Sequence, residues 1–259
     1  MHCHREGSGP PLVLIHGVGH HWQGWRPVID RLSPAFDVIA TDSPGFGRSA
    51  PLPAEVEPNI EAYTDAFEKF FHDQGLGRPH VAGNSMGGAI ALELANRGAV
   101  SSATALSPAG FWSGGELRYA QRSLKLVYGI PRPLRPGVMT LARTGPGRTA
   151  LFPQLLARPR ATPGDEAAAT LRDLWGSPVF ADVLNAFTGY RFTARPELDQ
   201  RSVTVAWGDK DRLLLHKRQS ARARTALPGA RHLSLDAGHV PFFDAPAAVA
   251  DVIRATAAV

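Results

Sequence analysis

Residues 81–90 read Val81-Ala82-Gly83-Asn84-Ser85-Met86-Gly87-Gly88-Ala89-Ile90, and the pentad Gly83-Asn84-Ser85-Met86-Gly87 has the form G-x-S-x-G. Such a pentad marks a serine held on a sharp turn between a strand and a helix. The turn strains the serine backbone and leaves almost no room two residues before and after it, and glycine stands at both places. A plain glycine-rich turn can produce the same five letters by chance, so the flanks decide. Residues 79–82 read as a short strand. Residues 86–97 read as a helix, with Ile90, Leu94 and several alanines on an apolar face and Gly98 as its stop. The strand–turn–helix context is met. A helix starting behind Ser85 would also turn its positive dipole end toward any anion developing there.

Outward from this turn, strands and helices alternate. Leu12-Val13-Leu14-Ile15 is a continuous apolar run closed by His16-Gly17, as expected of a strand buried on both faces. A helix over 25–32, a strand over 37–41 and a turn-rich stretch over 42–58 follow. Asn59 is placed to cap a helix running to about residue 74, with Ile60, Tyr63, Phe67, Phe70 and Phe71 on one side. Further strands are expected at 103–106, 203–207 and 232–235, with helices near 216–226 and from about 246. This alternation predicts an α/β fold with a mostly parallel, doubly wound sheet, whose ligands bind beyond the C-terminal strand ends. His16, Ser85, the loop after Trp207 and the loop before His239 all fall at such ends.

Residues 112–200 interrupt the alternation. They are rich in proline, glycine and arginine, contain no clear strand, and show helical patches at 116–128, 138–143, 166–175 and 179–188. A structureless loop of that length would be uncommon. The expectation is therefore a core formed by residues 1–111 and 201–259, with residues 112–200 inserted as a helical cap. Its larger side chains, Trp112, Leu124, Tyr128, Phe152, Phe180 and Phe187 among them, suit either a pocket wall or packing between cap helices.

Composition narrows the classes. The chain has 259 residues, 44% hydrophobic and 20% charged, which is ordinary for a globular protein. No apolar run approaches the ~20 residues that span a bilayer, so no stable membrane insertion is expected. The first residues lack the apolar core of a secretory signal, which points to a cytoplasmic location. Cys3 stands alone, and no Cys/His set has zinc spacing; His2-Cys3-His4 reads as a strand end, and neither metal nor cofactor is expected. The net charge is +5, and nine Lys and Arg with no acid lie between Glu116 and Asp165. A solvated arginine-rich surface is the preferred reading. The sharper one is a positive mouth for anionic substrates or an anionic membrane surface. No aromatic interleaving supports nucleic-acid binding. The expected partner is a small-molecule substrate, with the protein a monomer or homodimer.

A serine hydroxyl needs a base to take its proton, an acid to orient that base, and donors for the oxyanion. For this turn the expected chain order is serine, acid, histidine. Trp207-Gly208-Asp209-Lys210-Asp211-Arg212 offers two acids. Spacing favours Asp211 and leaves Asp209 open as a competitor. Asp236-Ala237-Gly238-His239-Val240-Pro241 places His239 in a loop between a strand and the last helix, the right order and setting for the base. The oxyanion donors expected are the Met86 amide and, from the loop His16-Gly17-Val18-Gly19, the Val18 amide. His16 itself is expected to steady that loop. Gly45-Phe46-Gly47-Arg48-Ser49 lacks the lysine of a phosphate loop and reads as a turn, and Gly17-Val18-Gly19 lacks the third glycine of a dinucleotide fingerprint.

Five segments in this order resemble the α/β-hydrolase superfamily: His16-Gly17; Asp42-Ser43-Pro44-Gly45-Phe46-Gly47-Arg48-Ser49; Gly83-Asn84-Ser85-Met86-Gly87-Gly88; Trp207-Gly208-Asp209-Lys210-Asp211; and Gly238-His239-Val240-Pro241-Phe242. The resemblance implies the α/β-hydrolase fold with a lid. It also implies Asp211, three residues after Gly208, as the acid. The resemblance does not fix the substrate; the leading expectation is cofactor-free hydrolysis of a carboxylic ester of a small or medium hydrophobic substrate through an acyl-enzyme. Members often carry two strands before the His-Gly loop. Only about ten residues precede Leu12, so the first strand is expected to be short or missing. A serine at position 85 separates the chain from the similar haloalkane dehalogenases and epoxide hydrolases, which use aspartate. The elbow also resembles that of the meta-cleavage-product carbon–carbon hydrolases. Their Gly-Pro-Gly after the His-Gly loop and their tryptophan after the histidine are absent here, which leaves carbon–carbon hydrolysis as an alternative. A non-catalytic binding protein on the same fold is the third reading.

Overall fold

The computed structural model describes residues 1–259 except 197, 199–201 and 259. Seven strands form one sheet: β1 Cys3–Glu6, β2 Pro11–Ile15, β3 Asp37–Thr41, β4 His80–Asn84, β5 Ser102–Leu106, β6 Ser202–Gly208 and β7 Arg231–Leu235. Their order across the sheet is β1-β3-β2-β4-β5-β6-β7. All neighbours are parallel except β1, which runs antiparallel to β3 from Cys3 opposite Thr41 to Glu6 opposite Val38. The first strand is therefore short, as expected, but not missing. Four residues suffice because an edge strand needs one partner, and His2-Cys3-His4 lies at its start.

The buried strands separate two apolar layers by simple alternation. Val13 and Ile15 face one layer, Leu12 and Leu14 the other. The first layer holds α2 Ile60–Asp73 and α3 Met86–Asn96, which contribute Phe67, Ile90 and Leu94. The second holds α1 Arg26–Leu32 and the C-terminal α11 Pro246–Ala257, through Val28, Leu32, Val249 and Ile253. Asn59 caps α2 as anticipated, its side-chain oxygen accepting from Ala62 N at 3.0 Å. At the end of β2, His16 is buried. The Ser43 amide donates to its Nε2 (2.9 Å), so its proton sits on Nδ1 and goes to Gly17 O (2.7 Å). His16 thus joins the loops after β2 and β3, the steadying role expected of it. In the Asp42–Ser49 turn, Asp42 accepts from the Trp22 and Arg48 amides at 2.8 and 2.9 Å.

Between β5 and β6 the described residues form helices and no strand: α4 Gly114–Tyr128, α5 Arg135–Ala142, α6 Gly145–Leu151, α7 Gly164–Gly176 and α8 Phe180–Ala186. The expected junction at 200/201 lies outside the described residues. Ser113 and Glu116 close α4 with a reciprocal capping box. Glu116 and the Phe111 carbonyl are also held by Arg222 of α9 His216–Ala226. α6 was not anticipated: Gly145-Pro146-Gly147 reads as a loop, but Pro146 fits a first helical turn and Thr144 caps it through the Gly147 amide. The short α10 Pro241–Asp244, directly before α11, was also missed. Arg148 is buried and donates to the carbonyls of Ala142, Arg143, Pro159 and Arg160 at 2.8–3.3 Å. One of the nine cations is therefore an internal staple, not a solvated charge.

Arg148→Met should leave those carbonyls without their shared donor. We expect a loss of about 2–3 kcal/mol and a melting temperature lower by about 5–10 °C; an unchanged melting curve would refute the staple. A second expectation concerns acid stability. Burial pushes His16 from 6.5 down to about 4. Below pH 6.5 the unfolded chain takes up a proton that the folded chain refuses, so stability present above pH 6.5 is lost as pH falls toward 4. Urea titrations of His16→Gln should show a shallower loss across that window than the parent; parallel losses would count against the neutral His16 bridge.

Candidate functional site

Ser85 sits between β4 and α3 with φ 57° and ψ −112°, a backbone conformation that residues other than glycine rarely adopt. Its surroundings hold it there. The Ser85 amide donates to Leu106 O, and its carbonyl accepts from the Ala89 and Ala109 amides, each at 3.0 Å. A Cβ on Gly83 would meet the Gly87 carbonyl oxygen at 2.0 Å, and one on Gly87 the Ile15 carbonyl oxygen at 2.1 Å. Both glycines of the pentad are thus demanded by close backbone approach.

His239 lies in the loop after β7, and its Nδ1 donates to Asp211 Oδ2 at 2.8 Å. The other carboxylate oxygen, Oδ1, accepts from the Leu213 and Leu214 amides at 2.9 and 2.8 Å. Both side chains are almost fully withdrawn from solvent. Asp209, the competing acid, is exposed. The Asp211 carboxylate is fixed by two amides before it meets the imidazole. That arrangement sets the ring's tautomer with Nδ1 protonated and Nε2 free.

Ser85, His239 and Val18 line one cavity of ≈ 90 Å³, with Leu124, Phe152 and Leu174 among its apolar walls. A smaller space of ≈ 30 Å³ adjoins it past His20, bounded by Leu156 and Phe243. The loop carrying Val18 comes close because Gly17 has no side chain; a Cβ there would lie 3.2 Å from Ser85 Cβ. Met86 does not line the cavity with its side chain, which is buried in the core. Its amide opens α3, where no preceding turn of helix supplies it with a carbonyl.

The helices between β5 and β6, with the turns that join them, contribute Leu124, Val127, Leu151, Phe152, Leu171 and Leu174 to this wall. Other side chains offered as lining do different work. Trp112 packs on Phe187 with ring centres 5.7 Å apart, and Tyr128 stacks on Phe180 at 4.7 Å. None of the nine cations of the acid-free stretch borders the cavity. A positive mouth at this cavity is therefore not what the arginines build. His20 is a polar exception in the wall. Its Nδ1 lies 3.0 Å from the His21 amide and 3.2 Å from the His21 carbonyl oxygen, and its buried Nε2 has no hydrogen-bond partner among the described residues. Burial, with the neighbouring His21 and His16, pushes its pKa well below the usual histidine value. Among the described residues no group of three or more His, Cys, Asp or Glu side chains is placed to hold a metal ion.

Two positioning residues escaped sequence reasoning. Asn84 donates to the carbonyls of Leu106 (3.1 Å) and His239 (2.9 Å), tying the histidine loop to the serine turn. Asp244 accepts from the amides of Gly238, Ala157 and Arg158 at 2.7–2.8 Å, fastening the same loop to the segment between α6 and α7. The only sequence signal for Asn84 is a polar residue closing an apolar strand. Asp244 gives none beyond its place five residues after His239.

Comparison with known proteins places this geometry. A hydrolase from Acinetobacter baylyi, (E)-2-((N-methylformamido)methylene)succinate hydrolase, is 39% identical over 34% of this chain and 33% of its own length. The dihydrolipoyllysine-residue acetyltransferase component of the acetoin cleaving system of Cupriavidus necator is 30% identical over 91% of this chain and 60% of its own. The chain thus spans a third to three fifths of these relatives' lengths. Among solved structures, an esterase of a Rhodococcus species superposes with a TM-score of 0.75 at 21% identity, covering 99% of this chain and 94% of that one. Such a likeness bears on the fold. The model of the alpha/beta hydrolase family matches residues 12–252, nearly the whole sheet and the helices between β5 and β6, and the chain belongs to that family.

Proposed function

We propose that the protein is a serine hydrolase that cleaves a carboxylic ester of a small or medium hydrophobic substrate through an acyl-enzyme. The observation that carries this reading is the buried His239–Asp211 hydrogen bond of 2.8 Å, with His239 on the same cavity wall as Ser85. In the proposed first step, His239 Nε2 takes the Ser85 hydroxyl proton as Oγ bonds to the ester carbonyl carbon. The Met86 and Val18 amides receive the negative charge that forms on the carbonyl oxygen. His239 then gives its proton to the departing alcohol, and the carbon–oxygen ester bond breaks. Water enters, loses a proton to His239 and attacks the acyl carbon; Ser85 leaves with that proton and the acid is released. Asp211 stays ionised throughout and stabilises the imidazolium.

The apolar walls support a hydrophobic substrate, because burying polar groups there without partners would cost affinity. Residues 112–200 act in this reading as the cap, supplying much of the wall while the sheet supplies the reacting groups. Carbon–carbon hydrolysis would use the same serine and histidine, and a binding protein would use the cavity alone. Substrates separate the three.

Against a panel of aryl esters, lactones and ring-fission products, turnover should be highest for an ester. Ser85→Ala and Asp211→Asn should each lower kcat by ~10⁴-fold or more with the fold retained by circular dichroism. Full esterase activity in Ser85→Ala would overturn the assignment. Ring-fission products turned over clearly faster than simple esters would move it to carbon–carbon hydrolysis.

A further inference from the structure

The large apolar side chains that this protein leaves in solvent are concentrated on the insertion. Leu126 is 77% exposed, Leu134 60%, Leu141 45% and Tyr119 39%; among the described residues the others of this kind are Met1 and Val56. All four insertion residues fall in the stretch between Glu116 and Asp165 that has no acid. Arg118, Tyr119, Arg122 and Leu126 border one shallow, open groove on α4, as their spacing along a helix requires. The opposite face of α4 looks inward, with Leu117 and Ala120 buried and Leu124 and Val127 on the cavity wall. Leu134 and Leu141, seven residues apart, share a side at the start and end of α5.

The cations of this stretch divide into committed and unpaired ones, and Arg135 is among the committed, donating to Ile130 O. Arg143 pairs with Asp165, Arg158 with Asp236, and Arg148 is spent on carbonyls. Arg118, Arg122 and Arg132 make no ion pair among the described residues, and Lys125 holds a neutral amide oxygen, that of Asn185. Cations interleaved with exposed apolar side chains on one helix face fit one kind of surface. Phosphate head groups take the cations, and the acyl boundary takes the leucines. A nucleic acid or a polar acidic surface would satisfy the charges and leave the exposed leucines against water or polar groups. A second copy of the same face would bring like charges together.

We propose that the outer face of α4, carrying Arg118, Arg122 and Leu126, docks the protein peripherally on an anionic lipid bilayer. The contact needs no spanning segment, and no helix among the described residues is long and apolar enough to cross a membrane. It would set against the lipid a helix whose inner face borders the Ser85 cavity. The docking stands independently of the reaction proposed above, since it uses none of the reacting groups.

Co-sedimentation with vesicles of phosphatidylcholine alone, and of phosphatidylcholine mixed with phosphatidylglycerol, tests this directly. The intact protein should bind the anionic vesicles at low ionic strength and lose binding as salt is raised. Arg118→Glu with Arg122→Glu, and separately Leu126→Asp, should each weaken that binding on the order of tenfold. Melting temperature and hydrolysis of a water-soluble ester should stay as in the parent. No binding to either vesicle, equal binding to both, or unaltered binding in both variants would overturn the proposal. So would a halving of mass by sedimentation velocity in Leu126→Asp, which would assign the face to self-association.

Discussion

A serine held at positive φ between β4 and α3 is the constraint on which the site depends. That conformation costs free energy, of order 1–3 kcal/mol, and persists only where neighbours over-determine it. Here they do so from several directions. Leu106 on β5 and Ala109 beyond it grip the Ser85 backbone from the next strand, and Gly83 and Gly87 let β4, α3 and the end of β2 close to backbone contact. Asn84 then uses the same turn as an anchor for the His239 carbonyl. The serine and the histidine, 154 positions apart in the chain, are thereby referred to one point of the sheet.

The molecule divides its labour accordingly. The sheet ends carry the groups proposed to react, each locked by hydrogen bonds to backbone. The helices between β5 and β6 carry most of the apolar wall, where shape rather than hydrogen bonding would select a substrate. Asp244 and Arg158 fasten the two parts near the histidine loop, and Arg222 fastens them at the start of α4. The Asp244 clamp lies beside the wall, where the Val240 amide next to His239 also donates to Leu155 O at 2.9 Å.

Much of this was legible in the sequence because it is locally encoded. The serine turn, the buried strands from β2 onward and the Asn59 cap each rest on a few adjacent residues. The loop order that brings His239 to Asp211 was legible as well. What stayed hidden depends on distance in the chain. β1 is too short for a periodic signal, and α6 begins in glycine and proline that read as loop. Asn84 and Asp244 act on partners far along the chain. Aromatic content could not tell Phe152 on the cavity wall from Trp112 packed on Phe187, since both settings are equally apolar. A count of arginines could not separate the buried Arg148 from the exposed Arg118, because burial is decided by which carbonyls the fold presents.

The central claim is that Ser85 is a nucleophile made reactive by His239 and Asp211. Fluorophosphonate labelling of the folded protein, mapped by peptide mass spectrometry, tests it most directly. The account predicts one adduct, on the peptide that contains Ser85, formed far more slowly in His239→Ala. An adduct on another residue, or none while the protein remains folded, would contradict it.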